Sequence, residues 1–422
     1  MLESREDKLM QTVEALADDI IDFSTRLVAE PSTLGNEISV LRVTEKEFSR
    51  LGYASQKIVI DPQELSKKPG FAPVPWDYEG RYNVVAIRPA NGEGGKSALF
   101  NGHLDVVSPE PLNQWSRDPF APHIEDGWLY GRGSGDMKAG VAAMTYAVKA
   151  IDEAGFGLAA PVTLETVIEE ECSGNGAFAC RAQGIEAAAV LIPEPFGPTI
   201  LTAQVGVCWF KVSLTGASAH ALSTQTGVNA IEKCFTLIVA LRELEAQLNS
   251  QSHPAFADTP HPLNLNVGVI SGGDWPSTVP ANAELKCRLA FLPGTPFSVI
   301  KTLVEQTIAA AAAKDEWLSR HPPSVEFFGF RSEGHQVDID LPALKLLSDC
   351  QQALCGEPAV QYKAKGTTDL RSFIQFSKAQ ATCFGPVAEN IHAGDERVNI
   401  ASVIHTAKAY ALFLSRWCKL LE

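Results

Sequence analysis

The sequence predicts an α/β protein with a doubly wound, mostly parallel sheet and a smaller α+β unit inserted into it. Two patterns predict this fold class. Nearly continuous apolar segments alternate with helical segments in the first half of the chain and again towards its end, which is typical of a parallel sheet covered by helices on both faces. Between these regions, strand-like segments alternate apolar with polar residues, as in a sheet with one exposed face.

The main unit begins with helices and continues with strand–helix alternation. Helical spacing of apolar residues predicts a helix within residues 8–28 and a second at about residues 39–51. The segments "NVVAIRP" and "SALFNGHLDVV" are typical of strands, and "MKAGVAAMTYAVKAIDEAG" of a helix that ends at Gly155. The strand "PVTLETVIEEE", a helix around "GAFACRAQG" and the strand "AAAVLIPEP" continue the α/β pattern.

The inserted unit begins where the pattern changes. "GVCWFKVSLTG" alternates like a half-exposed strand, and "TGVNAIEKCFTLIVALRELEAQLNS" predicts a long amphipathic helix. Two more strands and a helix near residues 296–314 follow before the α/β pattern resumes. We therefore predict a main unit of residues 1–204 and 322–422, with residues 205–321 inserted.

Composition excludes several classes of partner. The net charge of −15 and the absence of a basic run argue against nucleic acid. No apolar run is long enough to span a membrane, and the charged start of the chain does not resemble a signal peptide. The nine cysteines include no C-x-x-C pair, which indicates reduced thiols in a cytoplasmic protein and argues against a thiolate zinc site.

Polar residues gather where predicted strands end. His103 and Asp105 in "GHLDVV" lie two apart, so they share a face. The triplet Glu169, Glu170 and Glu171 follows the next apolar strand, and Glu194 follows another. Each feature alone is also typical of a satisfied core histidine or a solvated strand end. Together they lie at the carboxyl edge of the sheet, where α/β proteins bind ligands.

Two loops add further candidates. "GRGSGDMKAG" resembles a dinucleotide-binding turn, but Asp136 replaces the third glycine, and its charge would repel a pyrophosphate. Asp136 could instead cap the helix or bind a metal. His392 lies in the polar loop "AENIHAGDERV" and could simply be exposed. Two histidines and several carboxylates, with no cysteine, form a ligand set that suits zinc, manganese or cobalt.

With these elements in this order, the sequence resembles the dinuclear zinc deacylase and exopeptidase family, which includes acetylornithine deacetylase, succinyl-diaminopimelate desuccinylase, aminoacylase and a glutamate carboxypeptidase. The resemblance extends from "LVAEPSTLGNE" to "HAGDERV". It implies two zinc ions per subunit, replaceable by cobalt or manganese. The implied metal ligands are His103, Asp136, Glu171, Glu194 and His392, with Asp136 bridging both ions.

The resemblance also implies roles for residues around the metals. Glu170 is the expected general base, Asp105 is expected to orient His103, and Glu169 stands where the family usually has Asp. The inserted unit is expected to act as a lid and to form a homodimer, through which His220 in "GASAHALSTQTGVNAI" reaches the partner's active site. Arg371 in "GTTDLRSF" and Arg288 in "LKCRLAF" are expected to bind a substrate carboxylate.

These residues lead us to expect an amidohydrolase that removes the acyl group from an N-acyl amino acid, most like acetylornithine deacetylase. Succinyl-diaminopimelate desuccinylase, or a dipeptidase or carboxypeptidase of the same family, is an alternative. A catalytically silent metal- or peptide-binding relative is an alternative of another class. The expected partner is therefore a small N-acyl amino acid or peptide.

Overall fold

A six-stranded main sheet organises the protein in the computed structural model, which describes residues 2–422. The last four strands in its spatial order run parallel to one another, whereas the second strand is antiparallel to both of its neighbours. The predicted fold class is therefore confirmed. In spatial order, the strands are Ser55–Val59, Tyr82–Arg88, Val162–Val167, Ala98–His103, Ala189–Ile192 and Gln380–Cys383.

Helices enclose this sheet. Every residue of the three central strands is buried, so both faces of the sheet are covered, which explains their continuous apolar sequence. The helix predicted within residues 8–28 is in fact two helices that meet at Leu16. The main helices of this unit are Ser4–Ala15, Ala17–Val28, Ile38–Arg50, Ala139–Glu153, Asn175–Ala182, Pro342–Cys355, Leu370–Phe376 and Ile400–Trp417.

The inserted unit is a four-stranded antiparallel sheet with two long helices. One face of the sheet buries its apolar side chains in a core that is separate from the core of the main unit. The other face, which we call the open face, carries polar and aromatic side chains. In spatial order, the strands are Leu265–Gly272, Asn282–Phe291, Gly206–Thr215 and Ser324–Ser332, and the helices are Ala230–Asn249 and Phe297–Ala313.

The C-terminal end of the inserted unit lies one strand beyond the predicted residue 321. The strand Ser324–Ser332 pairs with Gly206–Thr215, so it belongs to the small sheet. Its sequence did not reveal this, because "FFGF" interrupts the apolar–polar alternation and Gly329 adopts a positive φ of 60°. The pairing extends the inserted unit to about residue 332.

Two short sheets complete the structure, and the first of them joins the main unit to the inserted unit. In the first, Thr199–Gln204 lies between His335–Gln336 and Val360–Ala364, so the chain enters and leaves the inserted unit on neighbouring strands. The second holds the loop of His392 beside the Gly-rich loop. Its strands, in spatial order, are Ala388–Glu389, Arg397–Asn399, Trp128–Tyr130 and His123–Glu125. Among residues 2–422, no helix has both the length and the apolar character needed to cross a membrane.

Candidate metal centre

Three parallel strands of the main sheet end at one place. Ala98–His103 lies between Val162–Val167 and Ala189–Ile192, and all three run in the same direction. His103 is the last residue of its strand, the glutamate triplet follows the second strand, and Glu194 follows the third. The sheet therefore brings the predicted residues to its carboxyl edge.

Asp136 is held in place by the backbone of the Gly-rich loop. The backbone N–H groups of Gly135 and Asp136 both donate to Glu396 Oε1, at 3.0 Å each, and Glu396 pairs with the buried Arg132. The side chain of Asp136 accepts from His103 Nε2 at 2.9 Å through Oδ1. Burial opposes ionisation of Asp136, but the hydrogen bonds to the two nearby histidines outweigh it and lower the pKa of this carboxyl.

His392 lies beside the same carboxylates, in the loop between the strands Ala388–Glu389 and Arg397–Asn399. Its Nε2 lies 3.2 Å from Glu171 Oε1 and 3.5 Å from Asp136 Oδ2. The charge of Glu171, followed by the hydrogen bond to Asp136, raises the pKa of His392 to about 11. The two oxygens of Asp136 thus face different histidines: Oδ1 faces His103 and Oδ2 faces His392.

The donor atoms fit a divalent cation. One donor atom from each of His103, Asp136 and Glu171 lies within 4.8 Å of the others. Glu194 is only 3% exposed, and its Oε1 has no hydrogen-bond partner. Burial, followed by the charge of Asp136, raises the pKa of Glu194 well above its usual value. A buried oxygen without a donor, beside imidazole and carboxylate groups, is the environment that a bound metal would satisfy.

Asp105 contacts the His103 ring more closely through its backbone than through its carboxylate. The His103 ring bonds the backbone oxygen of Asp105 at 2.9 Å through Nδ1, whereas the Asp105 carboxylate is 3.7 Å from that nitrogen. The carboxylate instead accepts the backbone N–H groups of Glu170 at 3.3 Å and Glu171 at 3.1 Å. Asp105 therefore fixes the loop that carries the predicted base and a predicted ligand.

Glu170 is a buried carboxylate beside the cluster. It is 6% exposed, and its Oε1 has no hydrogen-bond partner, although Arg371 Nη1 lies 3.7 Å away. Burial raises its pKa well above the usual value, the charges of Glu194 and Asp369 add to the effect, and His103 and Arg371 oppose it. A buried carboxylate with a raised pKa is the kind of group that serves as a general base.

Glu169 faces neither solvent nor the metal cluster. Its side chain is fully buried, and its backbone adopts a positive φ of 73°. The turn directs the carboxylate into a hydrogen-bond network inside the main unit. The donors to this carboxylate are Trp76 Nε1 at 2.9 Å, Tyr78 OH at 2.9 Å, Arg81 Nη2 at 2.6 Å and Ser173 Oγ at 2.6 Å.

Arg371 lies beside the site, together with a residue that the sequence patterns did not single out. Arg371 is buried and donates to the Thr368 carbonyl at 2.9 Å, while its Nη2 has no hydrogen-bond partner. Asp369 is also buried, and neither of its carboxylate oxygens has a hydrogen-bond partner, although Arg371 Nη2 lies 3.4 Å from Oδ1. The sequence feature that could have identified Asp369 as a site residue is its position two residues before Arg371 in "TTDLR".

His220 and Arg288 are on the inserted unit, apart from the cluster. His220 is exposed, and its Nδ1 accepts the backbone N–H of Leu222 at 3.1 Å. Arg288 projects from the open face of the small sheet and donates to the Lys365 carbonyl at 3.2 Å. Within the described part of this single chain, neither residue contacts the histidine–carboxylate cluster.

Comparison with known proteins agrees with this geometry. Residues 99–416 match the model of peptidase family M20/M25/M40. The chain belongs to this family. The M20 family is metal-dependent, and its members act on amide bonds, so this protein is an M20 family hydrolase with a candidate metal site.

Individual relatives of this M20 hydrolase differ in substrate. It is 28% identical over 367 residues to N-formyl-4-amino-5-aminomethyl-2-methylpyrimidine deformylase of Halalkalibacterium halodurans, covering 82% of this chain and 85% of the relative. It is 30% identical over 352 residues to acetylornithine deacetylase of Proteus mirabilis, with the same coverage of 82% and 85%. The structure of the dipeptidase Dug1p from Saccharomyces cerevisiae superposes with a TM-score of 0.81 at 13% identity, covering 99% of each chain.

Proposed function

We propose that this M20 hydrolase is a zinc-dependent deacylase of N-acyl amino acids, most like acetylornithine deacetylase. The observation that carries the proposal is the buried carboxylate of Glu170 beside a cluster of histidines and carboxylates at one sheet edge. His103, Asp136, Glu171 and His392 are linked there by distances of 2.9–3.5 Å. The buried and unpartnered Glu194 follows the adjacent strand.

The donor set favours two divalent ions. His103 and Glu194 would hold one ion, Glu171 and His392 the other, and Asp136 both. The division of the two Asp136 oxygens between the two histidines supports this bridging role. Zinc suits these nitrogen and oxygen ligands, and cobalt or manganese can replace it. Ions held there would act as Lewis acids towards a carbonyl oxygen and lower the pKa of water.

Glu170 would move the proton, and Arg371 would hold the substrate. As general base, Glu170 would accept a proton from water and return it to the leaving amine. Arg371 Nη2 makes no hydrogen bond, only an ion contact of 3.4 Å with Asp369 Oδ1, so it would have a donor to offer a substrate carboxylate, and Arg371 Nη1 lies 3.7 Å from Glu170 Oε1. A carboxylate anchored there would orient the scissile amide beside the base.

The protein would act as a homodimer formed through the inserted unit. Phe235 and Val239, four residues apart on one helix, are 60% and 59% exposed, and Val269 and Ile270 on the edge strand are 47% and 49% exposed. An unpaired strand edge beside an apolar helix face is suited to pairing with a second copy. His220 would then enter the partner's site and stabilise the developing oxyanion.

A formyl-pyrimidine deformylase is a second candidate, which the similarity to the deformylase of Halalkalibacterium halodurans favours. Both candidates hydrolyse an amide but differ in the acyl group removed and in the amine released. Desuccinylase and dipeptidase activities need the same catalytic groups as the proposed deacylase. A relative without catalytic activity would be expected to lack one of these groups. A cytoplasmic location is also proposed, because all nine cysteines are free thiols.

Substitution of Glu170 tests the proposed chemistry. In zinc-loaded protein, we expect Glu170→Gln to retain its zinc content while turnover falls by roughly 10²–10⁴-fold, because the amide cannot accept the proton. The exposed Glu186→Gln is the matched control. Rates would be measured on N-acetyl, N-formyl and N-succinyl amides and dipeptides with added zinc, cobalt or manganese. Near-native turnover of Glu170→Gln would show that another group is the base.

A further inference from the structure

The open face of the small sheet contains a recess that includes Arg288, for which the resemblance implies substrate binding, and aromatic residues for which it implies no role. It has a volume of about 260 Å³, and most of its lining is apolar. This exceeds the roughly 150 Å³ that suffices to hold benzene in a protein interior. Its lining includes Trp209, Asn266, Lys286, Arg288 and Phe328, and also Val269, which belongs to the proposed dimer edge.

A row of side chains across the sheet forms the floor of the recess. Arg288 lies directly opposite Trp209 on one neighbouring strand and opposite Asn266 on the other. The ring of Phe328 lies 5.8 Å from that of Trp209, at an interplanar angle of 60°. Two aromatic rings beside a guanidinium make a surface that suits a planar group carrying a negative charge or hydrogen-bond acceptors.

Arg288 lacks an anionic partner. Its only hydrogen bond is to the Lys365 carbonyl, and no carboxylate among residues 2–422 pairs with it. Burial lowers the pKa of Arg288, because the partly enclosed guanidinium has lost water without gaining a counter-charge. An anionic or acceptor group in the recess would provide the missing interaction.

The buried side chain of Phe330 lies between the recess and Arg371. The ring of Phe330 lies 5.1 Å from Trp209 on one side and 4.9 Å from the Arg371 guanidinium on the other. Arg371 in turn is 3.7 Å from Glu170. A substrate group held at Arg371 and one held at Trp209 would therefore be separated by the width of the Phe330 ring.

Gly329 fixes the recess against the catalytic loop. Its N–H donates to the Pro73 carbonyl at 2.8 Å. A Cβ at this position would lie 2.7 Å from the backbone oxygen of Cys172, the residue after Glu171, and 2.9 Å from the Trp209 ring. Glycine thus allows the strand to pack closely on both the loop of the glutamate triplet and the aromatic wall.

We propose that this recess is the specificity pocket for a planar, ring-bearing group of the substrate, with Trp209 and Phe328 as its walls and Arg288 as the partner of an anionic or acceptor substituent. This inference rests on the proposed amide hydrolysis and defines its substrate class. Substrates with an aromatic group are then preferred to those with a short aliphatic one, so within the proposed deacylase activity a ring-bearing amino acid, rather than ornithine, is the expected product.

Paired substrates and paired variants test the pocket. In zinc-loaded protein, we expect kcat/KM for N-acetyl-L-phenylalanine and N-acetyl-L-tryptophan to exceed that for N-acetyl-L-alanine. Trp209→Ala should lower the values for the two aromatic substrates roughly tenfold, because ring contacts are lost, and change the value for the alanine substrate less than about twofold. The control is Trp317→Ala, a tryptophan of the inserted unit outside the recess, which should leave the ratio unchanged.

A binding measurement separates failure of the pocket from failure of the proposed function. If no amide is hydrolysed, the proposed function fails. The recess is then tested by titrating the protein with 3-indolepropionate, and Trp209→Ala and Arg288→Gln should each weaken the binding of this compound. Equal losses for aromatic and aliphatic substrates, or unchanged binding of 3-indolepropionate, would overturn the pocket. A change of oligomeric state in Trp209→Ala, measured by sedimentation, would identify the recess as a contact between subunits and would also overturn it.

Discussion

Three adjacent glutamates have three different environments in this protein. Glu169 is buried in a network of four donors, Glu170 is buried beside Arg371, and Glu171 bonds His392. The alternation of side chains along a strand predicts that neighbours diverge, and the resemblance supplied which residue is the expected ligand. The positive φ of Glu169 could not be predicted, because it depends on tertiary hydrogen bonds that hold a strained turn.

The buried network of Glu169 predicts a stabilising rather than a catalytic role. We expect Glu169→Gln to lower the free energy of unfolding by about 2–3 kcal/mol, because an amide cannot replace the charged partner of Arg81 or accept all four hydrogen bonds. Urea denaturation measures the change. The exposed Glu316→Gln, whose ion pair with Arg320 is solvated, should alter stability by less than about 0.5 kcal/mol. Equal effects of the two substitutions would contradict the buried role.

At the scale of elements, the conformation of the loop after Val162–Val167 depends on Asp105, which follows the neighbouring strand Ala98–His103. Asp105 accepts two consecutive backbone N–H groups from that loop, which fixes Glu170 and Glu171 together. The sequence predicted the two strands and their parallel order, since apolar runs and helices alternate. It did not predict this contact, because backbone hydrogen bonds across loops leave no periodic signal.

Removal of the Asp105 carboxylate should therefore weaken metal binding without removing a ligand. We expect Asp105→Ala to reduce zinc affinity roughly 10–100-fold, as for other residues that orient ligands, and Asp105→Asn to reduce it less because one acceptor oxygen remains. Competition with a fluorescent chelator measures the affinity, and the exposed Asp340→Ala is the control. An unchanged zinc affinity in Asp105→Ala would show that the loop of Glu170 and Glu171 keeps its conformation without the Asp105 carboxylate.

At the scale of the whole molecule, the main unit was more predictable from sequence than the arrangement of the inserted one. Long apolar strands and amphipathic helices identified both units. The strand Ser324–Ser332 was assigned to the wrong unit, since pairing partners distant in sequence decide where such a short segment belongs. The pocket formed by Trp209 and Phe328 was likewise not foreseen, because it arises only when two strands of the small sheet lie side by side.

The exposed apolar face of the inserted unit predicts a dimer that surface charges can dissociate. We expect the double substitution Phe235→Asp, Val239→Asp to convert the dimer into monomers, because two carboxylates would be buried in the interface without partners. Val299→Asp, at a similarly exposed position on the other helix of this unit, is the control. Sedimentation velocity measures the assembly. A native protein that is monomeric at micromolar concentration would contradict the proposed interface.

The neighbouring entry and exit strands of the inserted unit make the protein modular. His335 pairs with Gln204, and Gly334 packs against the backbone of Gly206, so the chain leaves the inserted unit next to where it entered. A few residues could bridge this gap without disturbing the main sheet, which has its own core. Deletion or exchange of the inserted unit should therefore leave the strand order of the main sheet unchanged, including the edge that carries the candidate metal centre.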